Sequence, residues 1–227
     1  MCVSYRTPQG AFHDSRDIRS NPAPTGASHS SRRFLACKMK APIHVHQLDR
    51  HHVPLLHRHF GDLGPGDMRL RFGTALPAEQ IAAYVDGIPF GRDVVLGVYG
   101  DDFGLIGVAH LACQPDAAEL GLSVLPHFRG AGIGTALFER AVMRARNLQI
   151  VELFMHCLAQ NDAILHIARK AGMRVLFEQS EADAFLELSP GNAVTFSQEM
   201  VDRQLAFYDW AGKAFVCPRN ALTQALR

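Results

Sequence analysis

The residues of this 227-residue chain best placed to do chemistry cluster around His127-Phe128-Arg129-Gly130-Ala131-Gly132-Ile133-Gly134-Thr135. Three glycines in five residues let a backbone come very close to another group. Apolar residues at Ile133, Ala136, Leu137, Ala141 and Ala145 follow at helical intervals and predict a helix over Ala131 to Asn147. The first N–H groups of that helix lack intrahelical partners, and its dipole is positive at that end. Such a loop is built to hold an anion, and phosphate is the usual one.

Three phosphate-binding patterns compete for the stretch. A P-loop ends in Gly-Lys-Ser/Thr, whereas Gly134 is followed directly by Thr135. The dinucleotide fingerprint needs glycines at positions one, three and six, and counting from Gly130 the sixth position is Thr135. What remains is Arg-x-x-Gly-x-Gly, satisfied by Arg129, Gly132 and Gly134.

Two further residues stand out. Glu119 opens the alternating segment 118–125 that leads into the loop. A carboxylate there could accept a proton from an ammonium group, directly or through water; an exposed strand-end charge is the other reading. Asn161 opens a helical segment that ends at Gly172, a pairing of N-cap and C′ residue. His51, His52, His57 and His59 invite a metal reading, but there is no HExxH and no acidic partner at helical spacing. Solvated histidines on a helix face, and no metal, are expected.

The elements that must position these residues follow from periodicity. Strands are predicted around 43–48, 93–100, 104–113, 118–125 and 150–158, with a closing hairpin over 174–179 and 183–188. Helices are predicted from Asp49, over 77–88, after the glycine loop and after Asn161. The order is β-α-α-β-β-β-α-β-α-β-β. A final helical stretch, Val194 to Phe215, carries Met200, Val201, Phe207, Trp210 and Ala211 on a broad apolar face. Closure of the core by that face is expected, ahead of a lid or a homodimer contact.

Together, the Arg129–Gly134 loop, the preceding Ala-Glu-Leu-Gly-Leu-Ser-Val strand and the helix from Asn161 to Gly172-Met173 resemble the GNAT acyltransferase superfamily. The resemblance covers roughly residues 42–188. It implies an α/β (α+β) fold: a mixed, mostly antiparallel sheet of six to seven strands flanked by helices. An acyl-CoA slot would lie where two central strands splay apart, beside a bulge in the strand before the loop. It implies acetyl-CoA as co-substrate, with its pyrophosphate on Arg129, Gly130, Ala131, Gly132, Ile133, Gly134 and Thr135. Its pantetheine arm would lie along 122–125, above all Val124 and Leu125, with Asn161 holding the arm or adjoining backbone. Glu119 occupies the place where several protein-acetylating members have their general base. The chain departs from the family at Ala168, seven residues after Asn161, where many members have a tyrosine that protonates the departing thiolate. Asp67-Met68-Arg69-Leu70-Arg71-Phe72 and the strand after Phe90 resemble the acetyltransferase domain of bacterial protein-lysine acetyltransferases more narrowly. Arg69 and Arg71 then read as acceptor or CoA contacts, or as a solvated helix face. The implied function is N-acetyl transfer from acetyl-CoA to an amine, either a protein lysine or a small amine. A non-catalytic acyl-CoA-binding module is the alternative. The acceptor itself is not written in the fold.

Composition agrees with a globular domain that has no nucleic-acid footprint: net charge is +1 and 48% of residues are hydrophobic. No apolar run reaches membrane-spanning length. Five cysteines without a CxxC pair fit a reducing cytoplasm better than a disulfide framework. Residues 1–40, rich in Pro, Ser, His and Arg and without periodicity, are expected to be a disordered tail. Residues 41–190 would form the acetyltransferase domain and 191–227 a helical extension packed on it.

Overall fold

A computed structural model describes residues 42–216; the expected tail at 1–40 lies outside them. Val94–Tyr99 (β2), Leu105–Cys113 (β3) and Ala117–Val124 (β4) are β-rich segments separated by tight turns, and they pair antiparallel in sequence order. His46–Leu48 (β1) adds a short edge strand on β2. Glu152–Leu158 (β5) joins β4 in parallel, and Glu181–Glu187 (β7) lies between β5 and the edge strand Arg174–Glu178 (β6). The result is one seven-stranded sheet, ordered β1-β2-β3-β4-β5-β7-β6.

Each face of the sheet has its own core. One face packs Leu120, Leu122, Leu153 and Met155 against Leu137, Phe138, Ala141 and Ala145 of α4 (Ile133–Asn147) and Ala168 of α5 (Asp162–Lys170). The other packs Val95 and Val108 against Leu56 and Phe60 of α1 (Val53–Gly61), Met68 of α2 (Pro65–Phe72) and Ile81 and Val85 of α3 (Ala78–Asp86). Helix α2 is one more than the periodicity predicts. It is short, with a single buried residue, and is defined by Pro65 at its start and Gly73 just past its end at φ 77°.

The β4–β5 pairing covers only three residue pairs, Ala117–Glu119 against Glu152–Phe154. Beyond Glu119 the two strands part, as expected. The bulge does not fall where the resemblance puts it. The β3–β4 register runs unbroken from Cys113↔Ala118 to Gly107↔Val124, and the irregularity lies between Val98 and Tyr99 on β2.

The last helix, α6 (Ala193–Val216), does not dock by the face the sequence suggests. Met200, Val201, Phe207 and Trp210 are exposed, while Thr195, Glu199 and Ala206 are buried. Asn147 Nδ2 donates to the Glu199 carboxylate, and the Arg140 guanidinium donates to the Glu199 carbonyl at 3.2 Å. Polar pairing with α4 therefore anchors the helix. Among the described residues, no helix is long and apolar enough to cross a membrane.

Candidate active site

The glycine loop takes its shape from two left-handed residues. Gly130 (φ 73°) and Gly132 (φ 96°) adopt backbone angles that L side chains disfavour. Gly132 is the N-cap of α4, whose start has no side-chain cap and no acidic residue in its first turn. Gly134 answers a different need: a Cβ there would lie 3.2 Å from Ile167 Cδ1, so the glycine lets α4 and α5 close together.

A cavity of about 420 Å³ runs from this loop along the end of β4 to Asn161 and the start of α5. Val124, Arg129, Gly130, Gly132, Ile133, Gly134, Thr135 and Asn161 all line it. Leu125 and Ala131 do not. The Leu125 N–H donates to Ile106 O at 2.9 Å, on the β3 side, and its side chain joins the core beneath α1. Ala131 packs against the core beneath α4. Direction along β4 is set by parity. Ala117 O and Leu125 N bond toward β3, and Asp116 O accepts from β5, so even-numbered residues turn their backbone groups from β3. Leu122 and Val124 thus face the gap.

Asn161 uses both ends of its amide. Its Oδ1 accepts from the Ile164 N–H at 3.3 Å, capping α5, and its Nδ2 donates to the Leu70 carbonyl of α2 at 3.2 Å. Arg129 bends back onto the protein: Nε donates to Val124 O at 3.0 Å and Nη2 to Asp67 at 2.7 Å.

Glu119 lies apart from that cavity, in a second one of about 260 Å³ on the opposite face of the sheet. Its floor is built by β3 (His110, Ala112), β4 (Glu119, Gly121) and β5 (His156, Cys157), and Phe72 and Tyr84 cover it. Arg71 belongs to both cavities. Its guanidinium lies against Gly121, where any Cβ would collide with it, and stacks 4.7 Å from the Phe72 ring. Its Nε is buried without a hydrogen-bond partner. Of the two arginines in α2, it is Arg71 that the structure brings to the site.

Polar partners organise the second cavity. Arg71 Nη2 donates to Tyr84 Oη at 3.0 Å. Tyr84 Oη lies 2.7 Å from His110 Nδ1, and His110 Nε2 lies 3.0 Å from the Asp93 carboxylate. Burial lowers the pKa of His110, against the opposing pull of Asp93, and keeps the ring neutral. Burial also raises Tyr84, with Arg71 opposing. His156 stands 2.6 Å from Asp183 and is raised chiefly by that bond. Sequence reasoning missed Tyr84, His110 and Asp93. A lone histidine in an apolar strand was visible, but its partners lie 26 and 17 residues away.

His59 is not the solvated histidine expected. It is 1% exposed, with Nδ1 2.8 Å from Leu105 O and Nε2 2.8 Å from Ser123 Oγ, and burial lowers its pKa to about 4. Ala168 is fully buried and offers no hydroxyl, while His166 lines the first cavity. No group of three or more His, Cys, Asp or Glu among the described residues is arranged to hold a metal.

Comparison with known proteins agrees with this geometry. The family model described as "Acetyltransferase (GNAT) domain" matches residues 46–174, more than half of the chain. Among solved structures, the GNAT domain of S. lividans PAT is 19% identical with TM-score 0.55, covering 63% of this chain and 89% of that one. A ribosomal-protein-alanine N-acetyltransferase from Brucella melitensis is 17% identical with TM-score 0.52, covering 63% and 99%. A spermidine N-acetyltransferase from Vibrio cholerae, solved with CoA and spermine, is 17% identical with TM-score 0.52, covering 63% and 94%. Curated proteins give no match. A splayed seven-stranded sheet, a glycine loop on the following helix and a family match across both lead to one conclusion: this chain belongs to the GNAT acetyltransferase family.

Proposed function

We propose that the protein is an N-acetyltransferase that moves acetyl from acetyl-CoA to a primary amine, with a protein lysine as its acceptor. The observation that carries this reading is Arg71 at the junction of two cavities. One cavity suits a phosphate-bearing thioester and the other suits an amine.

On the first side, the pyrophosphate would rest on the amides of Arg129 through Thr135 and the start of α4. The pantetheine arm would pair with the gap-facing backbone of Leu122 and Val124, as an added strand does on a sheet edge. The unpartnered Arg71 Nε fits a ligand acceptor atom at the junction, since buried donors are rarely left unpaired. On the second side, Glu119, Asp183 and Glu181 flank His156 and draw in a cation. Glu119, exposed and bordering water, takes the first proton from the ammonium, and the freed amine attacks the thioester carbonyl. A thiolate leaves readily, so Ala168 does not preclude turnover.

The test is calorimetric titration of CoA together with release of free thiol from acetyl-CoA, using lysine peptides and polyamines as acceptors. Micromolar CoA binding with amine-dependent thiol release is expected. Binding should be lost in Gly134→Glu, which puts a bulky anion in the loop. Binding without thiol release for any amine would favour a non-catalytic acyl-CoA sensor; unchanged affinity in Gly134→Glu would reject the loop.

A further inference from the structure

Acylation of an alkylammonium removes two protons from nitrogen and supplies one to sulfur. Glu119 accounts for the first proton alone. The second leaves the nitrogen only once attack has begun, inside the covered cavity.

We propose that Tyr84, His110 and Asp93 form a proton shuttle that takes the second proton from the acceptor nitrogen and returns it to the departing sulfur. The proposal rests on the acetyltransferase reading above. It follows from the donor order of the chain. A carboxylate only accepts, so His110 Nε2 carries the hydrogen bonded to Asp93, and His110 Nδ1 is left as an acceptor. Tyr84 O–H therefore donates to Nδ1, and Tyr84 Oη accepts from Arg71, which has only donors. Every proton in the chain points away from the cavity and toward Asp93. Such a chain is set to receive a proton at Tyr84 Oη.

The charges around it favour transient storage. Burial pushes Asp93 up, but donors from Arg92, the Cys113 N–H and His110 outweigh it and hold the carboxyl below its ordinary range. Asp93 is thus anionic beside the ring. On the cavity side the charges facing the chain are Arg71 and Glu119. Arg71 steadies negative charge on the phenol oxygen, and Asp93 steadies positive charge on the imidazole.

The step balances. The amine nitrogen bonds to the thioester carbon and becomes cationic. Its proton passes to Tyr84 Oη as the phenolic proton passes to His110 Nδ1, giving an imidazolium against Asp93. The C–S bond breaks and its electron pair leaves on sulfur. The proton then retraces the path to the thiolate, restoring Tyr84 and neutral His110 and yielding amide and thiol. Tyr84 touches the reacting atoms; His110 and Asp93 act through it. The shuttle supplies from α3 the hydroxyl that Ala168 lacks on α5.

Two substitutions test this. Tyr84→Phe keeps the ring that packs on Phe60 and Phe72. His110→Gln retains one acceptor and one donor but cannot hold a proton. Each should lower kcat for a lysine peptide roughly 10²-fold in protein that stays folded and still binds CoA. The double variant should be no slower than Tyr84→Phe within about threefold, because one wire is cut once. A kcat within threefold of wild type in folded Tyr84→Phe would overturn the shuttle, as would losses that multiply in the double variant. Either leaves the acetyltransferase reading standing. Wild-type protein that binds CoA yet acetylates no amine overturns that reading, and the shuttle with it.

Discussion

Gly107, on β3 and far in sequence from the glycine loop, should control CoA affinity through the helix that carries the loop. A Cβ at Gly107 would lie 2.6 Å from Ile133 Cγ2 and 3.1 Å from Leu137 Cδ1. Both are buried on the first two turns of α4, so neither can swing into solvent. Carbon contacts relax near 3.5–4.0 Å, so Gly107→Ala must push the start of α4 outward by about 1 Å. Overpacking of this kind costs roughly 1–3 kcal/mol, offset by about 0.5–1 kcal/mol from replacing a strand glycine. At about 2–4 °C per kcal/mol for a chain of this size, the melting temperature should fall by several degrees. The loop moves with the helix. Losing one charge-assisted bond from an amide to phosphate costs about 1.5–3 kcal/mol, or roughly 10- to 150-fold in Kd. Scanning calorimetry and titration with CoA read both effects. Adding Ile133→Ala removes the clashing methyl, so the double variant should lose less stability than the sum of the two singles. Gly107→Ala with unchanged melting temperature and CoA affinity would refute the coupling between β3 and the loop.

Glu119→Gln should keep fold and CoA affinity but slow transfer by roughly 10²–10⁴-fold, the span for a lost general base. The deficit should shrink as pH rises, because a lysine of pKa about 10.4 increasingly deprotonates itself; a pH–rate profile within threefold of wild type at neutral pH removes Glu119 from the mechanism. His59 titrates at about 4 when folded and at 6.5 when unfolded, so the unfolded chain binds the proton first. Its stability contribution is complete above pH 6.5 and is lost as pH falls toward 4, on the order of 3 kcal/mol in all. Denaturant midpoints of His59→Asn, which retains a donor toward Leu105 O, should show a flatter slope across that window; an unchanged slope counts against it. Glu199→Ala removes the buried carboxylate shared by Asn147, Arg140 and Arg144, leaving Arg140 the residue-199 carbonyl and Asp202, and should cost about 1–3 kcal/mol by chemical denaturation, while loss of less than about 0.5 kcal/mol would show that α6 is held by other contacts.

The sheet and the anion loop are legible in the sequence because each is written locally. Apolar β-rich runs bounded by turn residues mark β2, β3 and β5, alternation marks β4, and Arg129–Gly134 sits where a strand turns into a helix. Short elements are less so: α2 buries one residue and announces itself mainly through Pro65 and Gly73. Several expectations fail, and two of them have a plain physical cause. Leu125 has odd parity on β4 and bonds to β3, and Met200 and Val201 of α6 point away from the Thr195–Glu199 face that docks. The Tyr84–His110–Asp93 chain is illegible because it joins α3, β3 and the turn before β2, and no periodicity encodes a pairing across elements. Gly121 reads as an ordinary strand glycine, and only the fold reveals that Arg71 lies across it.

The three-pair seam between β4 and β5 has a consequence for amide hydrogen exchange. Along Leu120–Val124 the odd residues tie their amides to β3, while Leu122 and Val124 present theirs to the open gap. Neighbouring amides on one strand should therefore exchange at very different rates, in strict alternation, although the Leu122 and Ser123 side chains are both buried. A ligand that pairs with the gap as a missing strand would slow only the fast members and erase the alternation. The protein thus carries half a sheet edge inside its own fold, a length of β-ladder that β5 leaves unfinished.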